Sequence, residues 1–506
     1  MPADRRSRDP KSCRIITMDN ATHLGSAGPV LVTGATGYVG GKLVPRLLQE
    51  GYCVRVFVRD PGKLRAKSWK SEVEFFEGDV LEPSTLVPAL SGVEIAYYLV
   101  HSITSGENFA ERDMTAARSF GDAVRQASVK RVIYLGGLGD PETNLSMHLR
   151  SRQETADILR QNGVCLTEFR AAVIVGAGSI SFEMIRYLTE RIPVMICPRW
   201  VRSKVQPIAI GDVIEYLVSA VQNPDSAGQI IEIGGTDVLT YGDMMKLYAR
   251  VRGLRRRLIN VPVLTPRLSS YWVHWVTPVP AAFARPLIEG LRNEVVVRDS
   301  KSSELFPNIK PSTYEHAVRS ALSQLVPDEF EEVVDSGPAD FKTIHNGMII
   351  EVKRRPVRSK ASSVYRTFVD MGGPNKWPCN WAWQLRALLD RIIGGVGMRK
   401  GRPDPEEIKV GDTLDFFRIE KIKPGRMIRL KAEMKLPGEG WLQFEVIPRG
   451  EDRAQLVQTV FFAPKGLPGI VYWYLLYPVH WLIFGKMINT LVKRSEQIKP
   501  DDVVCL

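Results

Sequence analysis

The stretch PVLVTGATGYVGG, residues 29–41, decides the fold of the first half of the chain. An apolar strand runs directly into three glycines at i, i+3 and i+6, and a helix follows at once. The first glycine permits a tight turn, the second lets the backbone approach a pyrophosphate, and the third lets helix and strand pack closely. The first helical turn then offers free N–H groups to the phosphates. The predicted contacts are Gly34, Thr36, Gly37, Tyr38, Val39 and Gly40.

Short apolar strands alternate with amphipathic helices on the C-terminal side of this loop. The pattern predicts strands at 30–33, 53–58, 73–76, 95–100, 131–135, 166–175 and 230–233. It predicts helices at 42–50, 83–90, 109–127, 149–161, 244–251, 266–276 and 314–325. This alternation is typical of parallel strands joined by right-handed crossovers. We therefore expect an α/β, Rossmann-type doubly wound sheet over residues 29–326, preceded by a disordered tail at 1–28.

The sequence changes character after an acidic stretch that we interpret as a linker at 327–344. Residues 345–497 predict a second, α+β domain, with strands at 348–352, 413–419, 427–436, 441–447 and 455–462 and a helix at 362–370. Residues 427–436 alternate strictly, which predicts one buried face and one wet face that carries Arg429 and Lys431. A long apolar helix from 467 to about 493 closes the domain.

Composition excludes several classes of protein. The 506 residues include 68 Lys plus Arg and 56 Asp plus Glu, a net charge of +12, with 44% apolar and 25% charged residues. These values are ordinary for a globular chain and exclude a disordered, collagen-like or many-span membrane protein. The basic residues are dispersed, which argues against nucleic acid binding. Six scattered cysteines without a C-x-x-C pair favour a reducing, cytoplasmic location, and no cluster has the spacing of a metal site.

Residues 466–485 contain no Asp, Glu, Lys or Arg. A segment of about twenty such residues is long enough to span a bilayer. However, Pro478 and His480 interrupt the segment, and its aromatic residues do not form two interfacial belts. The preceding sheet also has an apolar face that needs a cover. We therefore favour a buried helix or one in peripheral contact with a membrane over a true span.

The end of the second strand is where an adenosine ribose would lie. An acidic residue there would bind the 2′-OH of NAD, but Arg59 occupies the position and suits a 2′-phosphate. Asp60 follows directly, so NADP(H) is preferred and NAD(H) stays open, as does a merely solvated Arg59. Asp79 and Val80, which close the third strand, would reach the adenine; an ordinary strand-end cap is the alternative for Asp79.

Several motifs resemble the atypical short-chain dehydrogenases/reductases, the group that includes NmrA-like redox sensors. They are TGATGYVGG, VRDP, GDV, YYLVHS (97–102), LRSRQETADILRQNGV, FRAAVIVGAGS and QPIAIGDV, and they span about 29–325. The second half resembles a START and polyketide-cyclase-like helix-grip domain, in particular a domain of unknown function often fused behind such NAD(P)-binding domains. The resemblance implies a nicotinamide cofactor in the first domain.

Members of this family use a Ser, a Tyr and a Lys for proton transfer, and this chain has none of them at the matching positions. Gly136 and Gly137 stand at the serine position, and His148 and Arg152 at the Tyr and Lys positions. His148 could donate a proton and Arg152 could hold ribose hydroxyls. His101, at the carboxyl end of the fourth strand, is the other candidate, with Ser102 weaker.

Leu99, Val100 and His101 would lie near the nicotinamide, since ligands of open α/β sheets bind at this edge. A structural role is the alternative for His101, and a helix-start surface position the alternative for His148.

Six tryptophans in the second half could line a cavity or fill a core. They are Trp377, Trp381, Trp383, Trp441, Trp473 and Trp481. The helix-grip resemblance implies a cavity for a lipid, isoprenoid or polyketide. Three hypotheses follow: an NAD(P)H-dependent oxidoreductase acting on a hydrophobic molecule; a non-catalytic NAD(P)H sensor or assembly protein, similar to the accessory subunit of respiratory complex I; and a lipid-binding peripheral membrane protein. The missing Ser–Tyr–Lys set favours the second, and the separate cavity domain favours the first.

Overall fold

A computed structural model describes residues 28–65, 67–101, 109–261, 289–372, 377–392, 394–395, 397 and 408–498. The first domain contains the strands β1 (Val30–Thr33), β2 (Val54–Val58), β3 (Glu74–Glu77), β4 (Ile95–Tyr98), β5 (Arg131–Gly137), β6 (Leu166–Ala171), β7 (Ile174–Val175), β8 (Val194–Cys197), β9 (Lys204–Val205), β10 (Ile208–Ala209), β11 (Ile230–Ile233), β12 (Leu239–Thr240) and β13 (Arg257–Asn260). Its helices are α1 (Tyr38–Gln49), α2 (Pro83–Leu90), α3 (Phe109–Gln126), α4 (Met147–Gln161), α5 (Ile180–Arg191), α6 (Ile210–Gln222), α7 (Tyr241–Arg252), α8 (Lys301–Leu305) and α9 (Tyr314–Ser323).

The main sheet of this domain is parallel throughout, in the order β11-β6-β5-β4-β1-β2-β3. Its strands other than β3 are largely buried because helices cover both faces, and two separate groups of buried side chains fill the two sides. The order reverses between β1 and β4, so the crevice at their carboxyl ends is the place where such sheets bind ligands. The doubly wound fold predicted from the sequence is confirmed.

The second domain is built on an antiparallel sheet in the order β14-β15-β20-β19-β18-β17-β16. These strands are β14 (Asp340–His345), β15 (Met348–Val357), β16 (Thr413–Leu414), β17 (Phe417–Lys423), β18 (Met427–Ala432), β19 (Gly438–Pro448) and β20 (Ala454–Pro464). The helices are α10 (Glu331–Ser336), α11 (Ala361–Val369), α12 (Asn380–Ile392) and α13 (Gly466–Gln497). One face of the sheet packs on α11, α12 and α13 around a large apolar core.

The prediction of a linker at 327–344 is wrong, because this segment belongs to the second domain. Residues Pro327–Phe330 form a 3₁₀ turn, α10 follows, and β14 pairs with β15 as the edge of the sheet. Phe330 and Val334 are buried against the face of the sheet opposite the long helix. The turn and α10 therefore act as a cover for that face.

The prediction that Arg429 lies on a wet face is also wrong, and the same cover explains it. Arg429 is 1% exposed and donates to Gln443 at 2.8 Å. Its guanidinium also pairs with Asp328 at 2.7 Å and Glu331 at 3.4 Å, both from the covering segment. A buried cation needs such partners, and the acidic residues that suggested a linker provide them.

Two predicted strands differ from the structure, and two predicted segments lie outside the described residues. The strand predicted at 413–419 is interrupted at Asp415, which has a φ of 55°, and resumes as β17. The strand predicted at 427–436 ends at Ala432. The helix predicted at 266–276, and the tail predicted at 1–28 apart from Gly28, lie outside the described residues.

The two domains meet through hydrogen bonds at several points. Arg186 of α5 donates to the carbonyl oxygen of Asn346, in the turn between β14 and β15, at 2.5 Å. Glu190, also on α5, accepts from the N–H of Gly466 at the start of α13. The long helix is thus joined to the first domain where it begins.

Candidate active site at the carboxyl edge of the parallel sheet

The glycine-rich loop has the geometry that the sequence predicts. Gly34 has a φ of 70°, and a Cβ there would lie 2.6 Å from the carbonyl oxygen of Leu99. A Cβ on Gly40 would overlap the carbonyl oxygen of Gly34, so this glycine permits the close packing of α1. Helix α1 begins at Tyr38 with Gly37 as its N-cap, and no side chain caps it. The first N–H groups are therefore not occupied by a side-chain cap.

Tyr38 turns back from this loop toward the segment that follows β7. A Cβ on Gly176 would overlap the Tyr38 hydroxyl, and one on Gly178 would lie 3.4 Å from its ring. The hydroxyl is buried without a hydrogen-bond partner among the described residues, and burial raises the pKa of Tyr38. Thr36 is exposed and Val39 packs partly against the core. The loop therefore leaves Thr36 and Gly37 open to a ligand.

The next strand in the sheet, β4, ends beside this loop. Thr33 donates to the carbonyl oxygen of Tyr97 at 2.9 Å and accepts from the N–H of Leu99 at 3.2 Å, which ties β1 to the end of β4. Leu99, Val100 and His101 follow at the crevice and are each partly buried. The predicted nicotinamide-side residues and the glycine loop therefore share the switch point of the sheet.

His101 is held by an acidic residue that the sequence analysis missed. Its Nδ1 lies 2.9 Å from Oδ2 of Asp113 on α3, and the two side chains are 18% and 6% exposed. Ser151 of α4 donates to the same carboxylate oxygen at 3.4 Å. Because a carboxylate accepts, Nδ1 of His101 carries the proton toward Asp113, which directs Nε2 away. That Nε2 is buried and has no hydrogen-bond partner among the described residues.

A sequence signal for Asp113 exists in hindsight. The buried side of α3 includes Phe109, Ala116, Ala117 and Phe120, and Asp113 falls at helical spacing within that same side. An acidic residue on the apolar side of an amphipathic helix is costly unless it has a partner. Such a position points to a functional or structural pair.

His148 lies next to His101, so the structure brings the two candidate proton donors together. The ring centroids are 5.1 Å apart, and Nδ1 of His148 is also buried without a partner among the described residues. Burial, then His101, then Arg152 lower the pKa of His148 to about 3. His148 is therefore neutral at physiological pH, and the surface position considered for it does not fit.

The pKa of His101 is also lowered, by burial first and by the charge of Arg152 second. The hydrogen bond and the charge of Asp113 act in the opposite direction. His101 therefore differs from His148 in having a carboxylate in direct contact that stabilises its protonated form.

Arg152 is fixed to the sheet rather than free. It donates to the carbonyl oxygen of Leu135 at 2.8 Å, and its guanidinium lies 5.5 Å from the ring centroid of Tyr134. The serine position is closed as well, since a Cβ on Gly137 would lie 2.9 Å from Leu149. The positions of the Ser, Tyr and Lys thus all differ from the family pattern, and the residues there pack against the sheet and α4.

The residues predicted for the adenosine half lie at the ends of their strands. Arg59 follows β2 and is exposed. The Oδ1 of Asp79 accepts from the N–H of Leu81 at 3.1 Å, which is the strand-end cap considered as the alternative. Val80 is partly buried. Arg59 is therefore available to a phosphate, whereas Asp79 has a local structural role.

The second domain contains a separate apolar pocket between its sheet, α12 and α13. It is partly open to solvent, has about 580 Å³ of empty space, and is lined by residues that include Trp383, Phe417, Met434, Trp473, His480 and Phe484. Of the six tryptophans, three line it: Trp383, Trp441 and Trp473. Trp377 fills the core, and Trp381 and Trp481 are 62% and 58% exposed. The tryptophans thus divide among pocket, core and surface.

The first domain fits a dinucleotide by its geometry. Among the described residues, no side chain caps the helix N-terminus behind the glycine turn, and one buried polar atom each of Tyr38 and His101 lacks a hydrogen-bond partner. Among the described residues, no group of three or more His, Cys, Asp or Glu could hold a metal ion. Ser102 lies outside the described residues.

Comparisons with known proteins agree with this geometry. Residues 34–174 match a family described as NAD(P)H-binding, and residues 347–487 match a family described as proteins of unknown function, DUF2867. The ceramide reductase of Caulobacter vibrioides is 30% identical over 241 residues, which is 46% of this chain and 74% of that protein. The chain belongs to the NAD(P)H-binding family.

Within this NAD(P)H-binding family, the first domain is of the atypical short-chain dehydrogenase/reductase type, as its motifs indicate. A photosystem II assembly factor of Cyanophora paradoxa is 23% identical over 254 residues, 49% of this chain and 76% of that protein. The structure of the triphenylmethane reductase of a Citrobacter species with NADP(H) covers 58% of this chain and 99% of its own, at 19% identity and a TM-score of 0.48. That likeness concerns the fold alone.

Proposed function

We propose that this protein is an NADP(H)-dependent oxidoreductase that interconverts a carbonyl and an alcohol on a hydrophobic molecule. The observation that carries the proposal is the pair His101–Asp113 at the switch point of the sheet, beside the glycine loop. It offers an oriented proton donor and acceptor at the edge where the family binds its cofactor. The name of the ceramide reductase supports a long-chain substrate.

The chemistry balances with one proton from the chain. A bound NADPH would supply the hydride to the carbonyl carbon. Nε2 of protonated His101 gives its proton to the carbonyl oxygen, the C=O π bond becomes the O–H bond, and the products are the alcohol and NADP⁺. Asp113 holds the imidazole by Nδ1 and stabilises its charge, and Asp113 is therefore a positioning residue. Neutral His148 lies beside it, with the two ring centroids 5.1 Å apart.

Arg59 supports NADP(H) over NAD(H), because its exposed guanidinium at the end of β2 suits a 2′-phosphate. The test is a fluorescence titration of the whole protein with NADPH and with NADH. We expect tighter binding of NADPH, and Arg59→Ala should remove that preference. Arg125→Ala, a 68% exposed arginine on α3, is the matched control. Equal affinity of the wild type for both cofactors would contradict the preference.

A measurement of turnover distinguishes this proposal from a non-catalytic sensor or assembly role. The similarity to a photosystem II assembly factor is the observation that suggests that role. NADPH oxidation with long-chain ketones should be measurable with the wild type. Tight NADPH binding without reduction of any carbonyl would favour the non-catalytic role.

We further propose that the second domain contacts a membrane surface with anionic lipids. One helix of the described residues, Gly466–Gln497, has the length and composition to cross a membrane. Its side chains Trp473, Met487 and Leu491 are buried in the domain, which supports a surface position over a crossing. On its outer side Leu475 is 74% exposed, and on α12 Leu385 is 52% exposed.

Each of these two residues belongs to a stripe at helical spacing. The exposed residues are Val471, Leu475, Val479 and Leu482 on α13 and Trp381, Leu385, Leu388 and Ile392 on α12. Arg391 and Lys486 are exposed on the same helices, while Asp390 of α12 is fully buried. Exposed apolar stripes with basic neighbours are typical of surfaces that bind anionic bilayers.

Co-sedimentation with phosphatidylglycerol vesicles tests this contact. We expect binding that weakens with salt and is lost in the double variant Leu385→Glu, Leu475→Glu. Val238→Glu, at a 49% exposed valine of the first domain, is the control for an added charge. Failure of the wild type to sediment, or loss in the control alone, would reject the membrane contact.

A further inference from the structure

The pocket of the second domain has an almost wholly apolar wall and is partly open to solvent. Its empty space of about 580 Å³ includes a part that is open to solvent. Aromatic and aliphatic side chains of β17, β18, β19 and β20 form one wall, and α12 and α13 form the other. It shares no lining residue with the His101 site. The pocket is therefore a second site in the chain.

Two ring nitrogens in this apolar wall lack partners. Trp473 is 2% exposed, yet its Nε1–H has no hydrogen-bond acceptor among the described residues. Nδ1 of His480 is likewise buried and without a partner among them. The two rings lie seven residues apart on α13, with centroids 5.4 Å apart. Buried indole N–H groups are normally satisfied, so this pair indicates a polar atom of a ligand.

The charges around the pocket select the kind of polar atom. Arg386 also lines it, but its guanidinium lies 3.6 Å from the carboxylate of Asp390, which is fully buried. Burial and Arg386 lower the pKa of His480 to about 4, so this ring is neutral at physiological pH. Among the described residues the site therefore has no unpaired cation for a carboxylate, and a neutral oxygen fits it better.

We propose that this pocket binds one molecule of a neutral long-chain lipid, whose carbonyl or hydroxyl oxygen accepts a hydrogen bond from Nε1 of Trp473. His480 lies beside the same oxygen, and the aliphatic chain lies along the apolar wall and leaves the pocket through its open part. The proposal concerns the second domain alone and holds whether or not the first domain transfers hydride. If the proposed oxidoreductase function also holds, this pocket binds lipids of the same class as the substrate of the first domain.

The test is a fluorescence titration of the whole protein, without NADPH, with two probes of equal chain length. One is a ceramide with an NBD-labelled dodecanoyl chain, and the other is NBD-labelled dodecanoic acid. We expect one ceramide per chain and at least tenfold tighter binding of the ceramide than of the fatty acid. Equal or tighter binding of the fatty acid, or no binding of either probe at micromolar concentration, would overturn the proposal.

Two variants and one control locate the site. Trp473→Phe keeps the stacking on Phe462, whose ring lies 5.3 Å away, but removes the N–H, so ceramide affinity should fall about tenfold. Ala432→Trp places an indole in the pocket, and binding of both probes should be lost while the NADPH titration is unchanged. Trp481→Phe, at an exposed tryptophan of the same helix, should bind like the wild type. Undiminished ceramide binding by both Trp473→Phe and Ala432→Trp would show that the lipid does not bind here.

Discussion

His101 in the first domain and His480 in the second lie in comparable surroundings but have opposite neighbours. Both rings are largely buried, and burial lowers the pKa of each. His101 contacts the carboxylate of Asp113 at 2.9 Å, whereas His480 has the cation Arg386 nearby. The charge of the neighbour thus decides whether a buried histidine can exchange protons or only form hydrogen bonds.

This difference matches the work that we propose for each site. A redox site needs a group that gains and loses a proton during each turnover, and Asp113 stabilises the protonated state of His101. A lipid site needs a wall whose charge does not change, and His480 stays neutral. In our proposal the two domains therefore combine a reactive edge and an inert pocket in one chain.

The largest expected effect is that of His101→Gln. Removal of the proton donor should lower the turnover of NADPH with a long-chain ketone about 10³-fold, within the range for general acid catalysis. NADPH affinity should change far less than turnover, since Gln keeps the polarity of the position. The same substitution at His480 should leave turnover at saturating ketone unchanged. A loss from His148→Gln that exceeds the loss from His101→Gln would reverse our assignment of the proton donor.

Asp113→Asn should lower turnover about 10²-fold, because the amide no longer stabilises the imidazolium and can impose the wrong tautomer on His101. A merely structural role would change stability but not the pH profile. We therefore expect the apparent pKa in the pH profile of reduction to be lower in Asp113→Asn than in the wild type. Asp122→Asn, at a 56% exposed aspartate of the same helix, is the control. An unshifted profile in Asp113→Asn would show that this carboxylate does not act through His101.

The pH dependence of the wild type gives the next effect. Reduction requires protonated His101, whose pKa lies below the ordinary histidine value of about 6.5. The rate of reduction should therefore rise up to tenfold for each unit by which the pH falls toward that pKa and level off below it. The reverse oxidation uses neutral His101 and should level off above it. A reduction rate that increases with pH would contradict the assignment.

The smallest expected effect is at the lipid site. Ceramide affinity should vary less than about twofold between pH 5.5 and 8, because the pKa of His480 is about 4 and its charge does not change in this interval. The measurement is the same fluorescence titration at several pH values. A tenfold loss of affinity toward pH 5.5 would show that His480 does titrate there and would remove the contrast between the two sites.

The sequence predicted most of what depends on local pattern. The glycine turn and the strand–helix alternation follow from backbone geometry and apolar periodicity, which neighbouring residues determine. The placement of His101 at the end of β4 followed from the same rules. Asp113 did not, because its role depends on how α3 packs against the residues that follow β4, which local pattern does not determine.

Two further features depend on tertiary packing and could not be predicted. Arg429 looks like a solvent-facing residue of an alternating strand until α10 and its turn are placed over it. Helix α13 is apolar on all sides over residues 466–485, so its pattern does not distinguish Trp473, 2% exposed, from Trp481, 58% exposed. A helix without polar contrast has no sequence signal for its inner face.

The most direct test of the central claim is isotope transfer in the whole protein. The protein is incubated with NADPH deuterated at both C4 positions and with a ceramide oxidised to the ketone at its sphingoid base, and the lipid product is analysed by mass spectrometry. Our account predicts one deuterium on the new carbinol carbon with the wild type and a strongly reduced amount with His101→Gln. Tight NADPH binding without deuterium transfer to this ketone or to simpler long-chain ketones would contradict the oxidoreductase function.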